Sequence, residues 1–178
     1  SHLETGNIFP LLCERGVYEG MKEAGQHEIL NLCRCAWAGS QRYGALVWSG
    51  DVPSTFDSLR TQIVAGLHMS IAGIPWWTTD IGGFLGGYID DPVFRECLIR
   101  WFEYGTFCPA MRLHGDRRPA IKPTECEPSS KGISTHSGAD NEIWTYGEDN
   151  FEIMKTHIFH REEMKPYIER AMRKAHED

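Results

Sequence analysis

Apolar positions recur at helical spacing from Phe9 to Glu23, where Leu11, Leu12, Val17 and Met21 share a face and Gly25 closes the run. A short apolar stretch, Ile29 to Cys33, predicts a buried strand, and the small, polar segment Cys35 to Tyr43 predicts a loop or single turn. Ala45 to Trp48 predicts a second strand, ending in Ser49-Gly50-Asp51. Ser54, with Asp57 three residues on, has the form of a capping box with Asp in place of Glu, opening a helix with Phe56, Leu59, Ile63 and Leu67 as its buried stripe. Ser70 to Trp77 predicts a third strand, followed by Thr78-Thr79-Asp80-Ile81-Gly82-Gly83-Phe84. Asp91-Pro92 supplies an N-cap and a first-turn proline for a helix running to about Tyr104 and stopping at Gly105. Thr106 to Leu113 then predicts a fourth strand, ending in His114-Gly115. Residues 116–147, rich in Pro, Gly, Ser and charge, predict a loop-rich insertion, since a connection this long inside a compact unit is usually functional or mobile. A last helix is expected from near Asn150 to about Lys174, kinked or split at Pro166.

Short apolar strands alternating with helices imply an α/β fold with a parallel sheet. In a (β/α)8 barrel the C-terminal strand ends carry the active site, and here Arg34, Asp51, Asp80 and His114 fall at those ends. A complete barrel takes ~250 residues. With four strands in 178 residues, the expectation is a single partial domain over residues 1–178: half of a (β/α)8 TIM barrel.

Composition narrows the partners. The chain has 18 Lys and Arg against 25 Asp and Glu, a formal charge of −7, which argues against nucleic acid or an anionic membrane surface as the main partner. Its apolar runs are broken well short of the ~20 residues a membrane helix needs. Ser1 to Asn7 carry no basic-then-apolar leader pattern. Either the protein is not exported, or its true start lies further upstream, and the compartment stays open between cytoplasm and export. The six cysteines include no CxxC pair, so a zinc ribbon has no support. Cys33 and Cys35 would share one strand face, while Cys13, Cys97 and Cys108 lie in apolar sequence, so the cysteines read as mostly structural. His157, His160 and Glu163 could share a helix face, but a surface stripe is the better account, and His136, His157, His160 and His176 read as solvated. No metal or cofactor is expected.

Arg, two Asp and His at neighbouring strand ends suit a sugar, because carboxylates exchange protons and hydrogen bonds with hydroxyls while Arg and His fix them. Trp48, Trp76, Trp77 and Phe84 lie beside them, and aromatic faces suit the C–H faces of a sugar ring. The blocks Arg34 to Tyr43 (RCAWAGSQRY), Trp48-Ser49-Gly50-Asp51, Thr79 to Phe84 (TDIGGF) and Arg112-Leu113-His114-Gly115 then become specific. With Phe107-Cys108-Pro109 and Asn141-Glu142-Ile143-Trp144 before Gly147, their order and spacing resemble glycoside hydrolase family 31 over nearly the whole chain.

The resemblance implies a retaining α-glycosidase on a (β/α)8 barrel, this chain covering about strands five to eight of the catalytic domain. It implies Asp51 as general acid/base, Arg34 and His114 holding sugar hydroxyls, Trp48 and Phe84 shaping the glycone subsite, and Asp80 supporting it through hydrogen bonds. The family's nucleophilic Asp sits in a Lys-x-Asp motif at the end of strand four, which is not found here. Phe9-Pro10-Leu11-Leu12 and Val17-Tyr18-Glu19-Gly20 resemble the family's segment just C-terminal to that nucleophile. The chain is therefore expected to begin just after the nucleophile and to need an N-terminal half-barrel as partner. The substrate expected is an oligosaccharide with a terminal α-linked sugar, α-xyloside first and α-glucoside next. The rival readings are a carbohydrate-binding remnant or pseudoenzyme without the nucleophile, and an unrelated α/β domain with a chance cluster. Position alone favours Asp51 as a helix cap, Asp80 as a turn residue, His114 as an ordinary loop histidine and Arg34 as an ion-pair partner; the blocks around them reverse that order. Arg42, Arg100 and Arg112 read as structural.

Overall fold

The computed structural model describes residues 5–121 and 137–177. It begins with helix α1 (Phe9–Glu23), strand β1 (Asn31–Cys33), a 3-10 turn (Ser40–Tyr43), strand β2 (Ala45–Trp48), helix α2 (Phe56–Ile71) and strand β3 (Trp77–Thr78). Strand β4 (Leu85–Tyr88), helix α3 (Pro92–Phe107), strands β5 (Asp116–Ile121) and β6 (Ser137–Ala139), a second 3-10 turn (Ile143–Tyr146) and helix α4 (Glu148–Glu177) complete it. Strands β1, β2 and β3 pair in parallel in that order, and a lone parallel bridge joins Ile81 to Leu113. A second small sheet orders β4-β5-β6, parallel then antiparallel. Among the described residues no helix is long and apolar enough to cross a membrane.

Helix α3 organises the core. Phe94, Cys97, Leu98, Ile99, Trp101 and Phe102 are buried with Leu59, Ile81, Tyr146 and Met154, and the Trp101 Nε1–H donates to Thr79 Oγ1 at 2.9 Å. A smaller cluster of Val47, Ile74, Trp77 and Cys108 lies under β2 and β3. Arg161 of α4 donates to the carbonyl oxygens of Thr106, Cys108 and Pro109, satisfying groups that the end of α3 leaves without helical partners.

Several local expectations change. The N-cap of α2 is Thr55, whose Oγ1 accepts from the Ser58 N–H at 3.2 Å, not Ser54. Leu67 of the expected stripe is exposed, while Gln62 and Gly66 are buried; a Cβ at Gly66 would sit 2.7 Å from Trp77 Nε1, so close packing demands the glycine. The run from Ser70 is not a strand. Helix α2 continues to Ile71, then Gly73 at φ +81° reverses the chain, and Ile74 N–H donates back to Met69. Gly105 does not stop α3 either: a Cβ there would meet Ile81 Cδ1 at 2.5 Å, so the glycine serves the helix–strand approach and the helix runs on to Phe107. The fourth strand shrinks accordingly to the Leu113 bridge. In α1 Leu11 and Met21 of the expected face are half-buried, but Leu12 and Val17 are exposed and Glu14 is buried, so the face is shifted. The region 116–147 carries β5, β6 and a 3-10 turn, while 122–136, with Cys126 and His136, lies outside the described residues. Pro166 lies inside α4, which is not split. Cys13 is exposed, whereas burial pushes the thiols of Cys97 and Cys108 up to about 11 and that of Cys33 up to about 12.

Candidate active site

Arg34 directly follows β1, and Asp51 lies three residues past the end of β2. Arg34 Nη1–H donates to Asp51 Oδ2 at 2.9 Å, and the guanidinium carbon stands 6.0 Å from the centre of the Trp48 ring. Gly50, between Trp48 and Asp51, takes φ +73°, a left-handed conformation that favours glycine. The side chains of Arg34 and Asp51 are 57% and 37% exposed, so the pair contributes little to stability and leaves the carboxylate open to another partner.

Asp80, two residues past β3, is fully buried. One of its oxygens accepts a hydrogen bond from Arg112 Nη1, and the other has no partner among the described residues. Burial pushes the Asp80 carboxyl above its ordinary value, opposed by the positive charge of Arg112 and by His114 and reinforced by the negative charge of Asp51. The folded protein therefore holds this proton more tightly than the unfolded chain. The resulting stabilisation is present at low pH and is lost as pH rises from 3.8 through the raised folded value. Asp80→Asn in the full-length protein should remove that loss, so its urea midpoint should gain on wild type as pH rises through this window. A difference between the two proteins that stays flat with pH would contradict the raised value.

Between Asp80 and Phe84 the chain turns on Gly82 and Gly83, at φ +90° and +76°. The Gly83 N–H donates to the Asp80 carbonyl at 2.8 Å. Phe84 and Leu85 both donate to the Val52 carbonyl, at 2.8 and 3.0 Å, which ties this loop to the residue after Asp51. The Phe84 and His114 rings lie 5.5 Å apart at 39°. His114 is exposed, following Leu113 of the bridge.

The six residues singled out in the sequence thus fall into two groups at the strand ends, Arg34, Trp48 and Asp51 in one and Phe84 and His114 in the other. Asp80 lies within electrostatic reach of both Asp51 and His114. Trp76 does not join them; it precedes β3 and is half-buried beside Met172, whereas Trp77, buried in the smaller cluster, lines a cavity with Arg34 and Trp48. Arg112, read as structural in the sequence, pairs with the buried Asp80. Arg117 was missed altogether. It lies buried beneath the Phe84 loop in a stretch that reads as loop. His157 is half-buried rather than solvated, with Nε2 3.7 Å from a Glu103 oxygen.

The TIM-barrel domain model of glycosyl hydrolases family 31 matches residues 1–171. A protein of Pseudescherichia vulneris described as an uncharacterized family 31 glucosidase is 60% identical over 119 residues, 67% of this chain and 22% of that protein. The α-xylosidase of Saccharolobus solfataricus is 37% identical over 91% of this chain and 19% of its own length. Among solved structures, a family 31 α-xylosidase from a soil metagenome, complexed with xylose, superposes with a TM-score of 0.92 at 61% identity, covering 99% of this chain and 26% of that one. The chain thus spans about a fifth to a quarter of the length of these relatives. A match over nearly every residue places the chain in glycoside hydrolase family 31, within its TIM-barrel domain.

Proposed function

We propose that this chain is the C-terminal half of the catalytic barrel, strands five to eight, of a retaining α-glycosidase that removes terminal α-linked xylose. The observation that carries the reading is the 61% identity and 0.92 TM-score to an α-xylosidase complexed with xylose, joined to the strand-end cluster described above. Asp51 is the general acid/base: it protonates the leaving oxygen in the first step and takes a proton from water in the second. Its partner Arg34 keeps the carboxylate oriented at 2.9 Å and, with His114, holds sugar hydroxyls. Trp48 and Phe84 form the aromatic walls of the glycone subsite, and Asp80 supports it from beneath through its hydrogen bond with Arg112. A retaining mechanism needs a second carboxylate ~5–5.5 Å away as nucleophile, and it comes from the upstream half of the barrel.

An α-glucoside is the second substrate to weigh, because the 60% identical relative is described as a glucosidase. The test is hydrolysis of 4-nitrophenyl α-xyloside and α-glucoside by the full-length protein, with the anomer of the first-released sugar followed by NMR. Faster release from the xyloside, giving the α-anomer first, is expected. A protein faster on the glucoside would overturn the substrate, and one inactive on both would overturn the reaction.

A further inference from the structure

We propose that Arg117 is a positioning residue of the sugar site, holding Phe84 and His114 in place against each other. The inference rests on the glycosidase reading above and adds a residue that touches no substrate. The Arg117 side chain is fully buried. Its Nη2 donates to the carbonyl of Ile81 at 2.8 Å and to that of His114 at 3.3 Å. Its Nη1 donates to the carbonyls of Gly83 at 2.9 Å and Gly86 at 3.3 Å and to Ser54 Oγ at 3.3 Å. Nε donates to Asn141 Oδ1 at 2.9 Å, and the guanidinium carbon stands 5.0 Å from the Phe94 ring centre. One planar fork therefore holds the loop on both sides of Phe84 and the backbone of His114 itself.

Two features mark the arrangement as more than packing. No carboxylate hydrogen-bonds this cation among the described residues; backbone carbonyls and two neutral side chains do, while the charges of Asp80 and Asp116 act on it from further off. Burying a charge costs stability that its hydrogen bonds must offset, and six acceptors fixed in place do so here. The backbone is also shaped to admit it. A Cβ at Gly82 would fall 2.7 Å from Arg117 Nη2, and one at Gly115 2.7 Å from Nη1. The glycines of both site motifs leave room for the same guanidinium. Lysine, a point charge with three donors, cannot span six acceptors in four chain segments.

The experiment uses the full-length protein and the variants Arg117→Lys and Asn141→Ala, with KM and kcat for 4-nitrophenyl α-xyloside, the inhibition constant of free xylose and the thermal midpoint. Arg117→Lys should raise KM and the xylose inhibition constant together by about tenfold or more, because both ligands depend on a displaced Phe84 and His114. Turnover should fall by less, since the Arg34–Asp51 pair has no contact with Arg117. Asn141→Ala keeps the guanidinium but removes the Oδ1 that accepts from both Arg117 Nε and the buried Tyr146 hydroxyl; it should lower the midpoint and also give the same paired rise, about threefold, even if the lysine protein does not fold. Variants with a lowered midpoint but wild-type KM and xylose inhibition would overturn the positioning role while leaving the glycosidase reading intact. A wild type inactive on the xyloside and not binding xylose would overturn both.

Discussion

Asp51→Ala in the full-length protein should cut hydrolysis of an unactivated α-xyloside by about 10⁴-fold, the upper range for losing a positioned proton donor. An alkoxide leaving group is a strong base, and without a proton from Asp51 it has no route out of the transition state. A 4-nitrophenolate is stable unprotonated, so the first step on the aryl xyloside should survive far better. The second step should not, because the same carboxylate must then deprotonate water. The variant should therefore release a burst of nitrophenol matching the enzyme concentration, followed by slow turnover, the signature of an accumulating covalent intermediate. Rapid-quench measurement of the burst separates the two steps. Unfolding does not confuse the result: an Arg34–Asp51 pair this open to solvent adds little to stability. Equal losses on both substrates in the first step would count against Asp51 as the acid.

The strand ends were legible in the sequence because polar residues that close an apolar run are conspicuous. Helix α1 and strand β2 have the bounds expected, and Asp91 caps α3 through its side chain on the Val93 N–H. What stayed hidden were features set by tertiary contact. Gly105 has the local form of a helix stop, and only the nearness of Ile81 explains why it sits inside the helix. Gly86 and Gly87 look like a turn, yet they lie inside β4 as an irregularity between the paired residues Leu85 and Tyr88; a Cβ at Gly87 would lie 2.6 Å from the Phe94 ring. The apolar letters from Ile71 to Trp77 carry no periodicity that separates a helix end and a reversal from a strand. Arg117 illustrates the limit most plainly. Its acceptors reach back 63 residues to Ser54 and forward 24 to Asn141, and no window of local sequence holds them together.

Residues 1–178 expressed alone should show no turnover of aryl α-xyloside or α-glucoside and should not behave as a stable monomer. Strand β1 pairs only with β2 among the described residues, so its other edge presents unpaired backbone donors and acceptors. Leu12, Val17, Leu30 and Leu32 are exposed around that edge, and the buried carboxylate of Glu14 beside them has no hydrogen-bond partner among the described residues. At the far side Leu113 is held to Ile81 by a single bridge. Parallel sheets are stable when covered on both faces and continued at their edges. An open pair of this kind should aggregate, dimerise edge to edge, or await the other half of the barrel. Sugar binding through Arg34, His114 and the aromatic walls should be weak, because one side of the pocket is open to water. Sedimentation of the purified segment, run alongside both hydrolysis assays, checks each part. A well-behaved monomer that cleaves either glycoside would overturn the half-barrel assignment and, with it, the placement of the nucleophile in the upstream half.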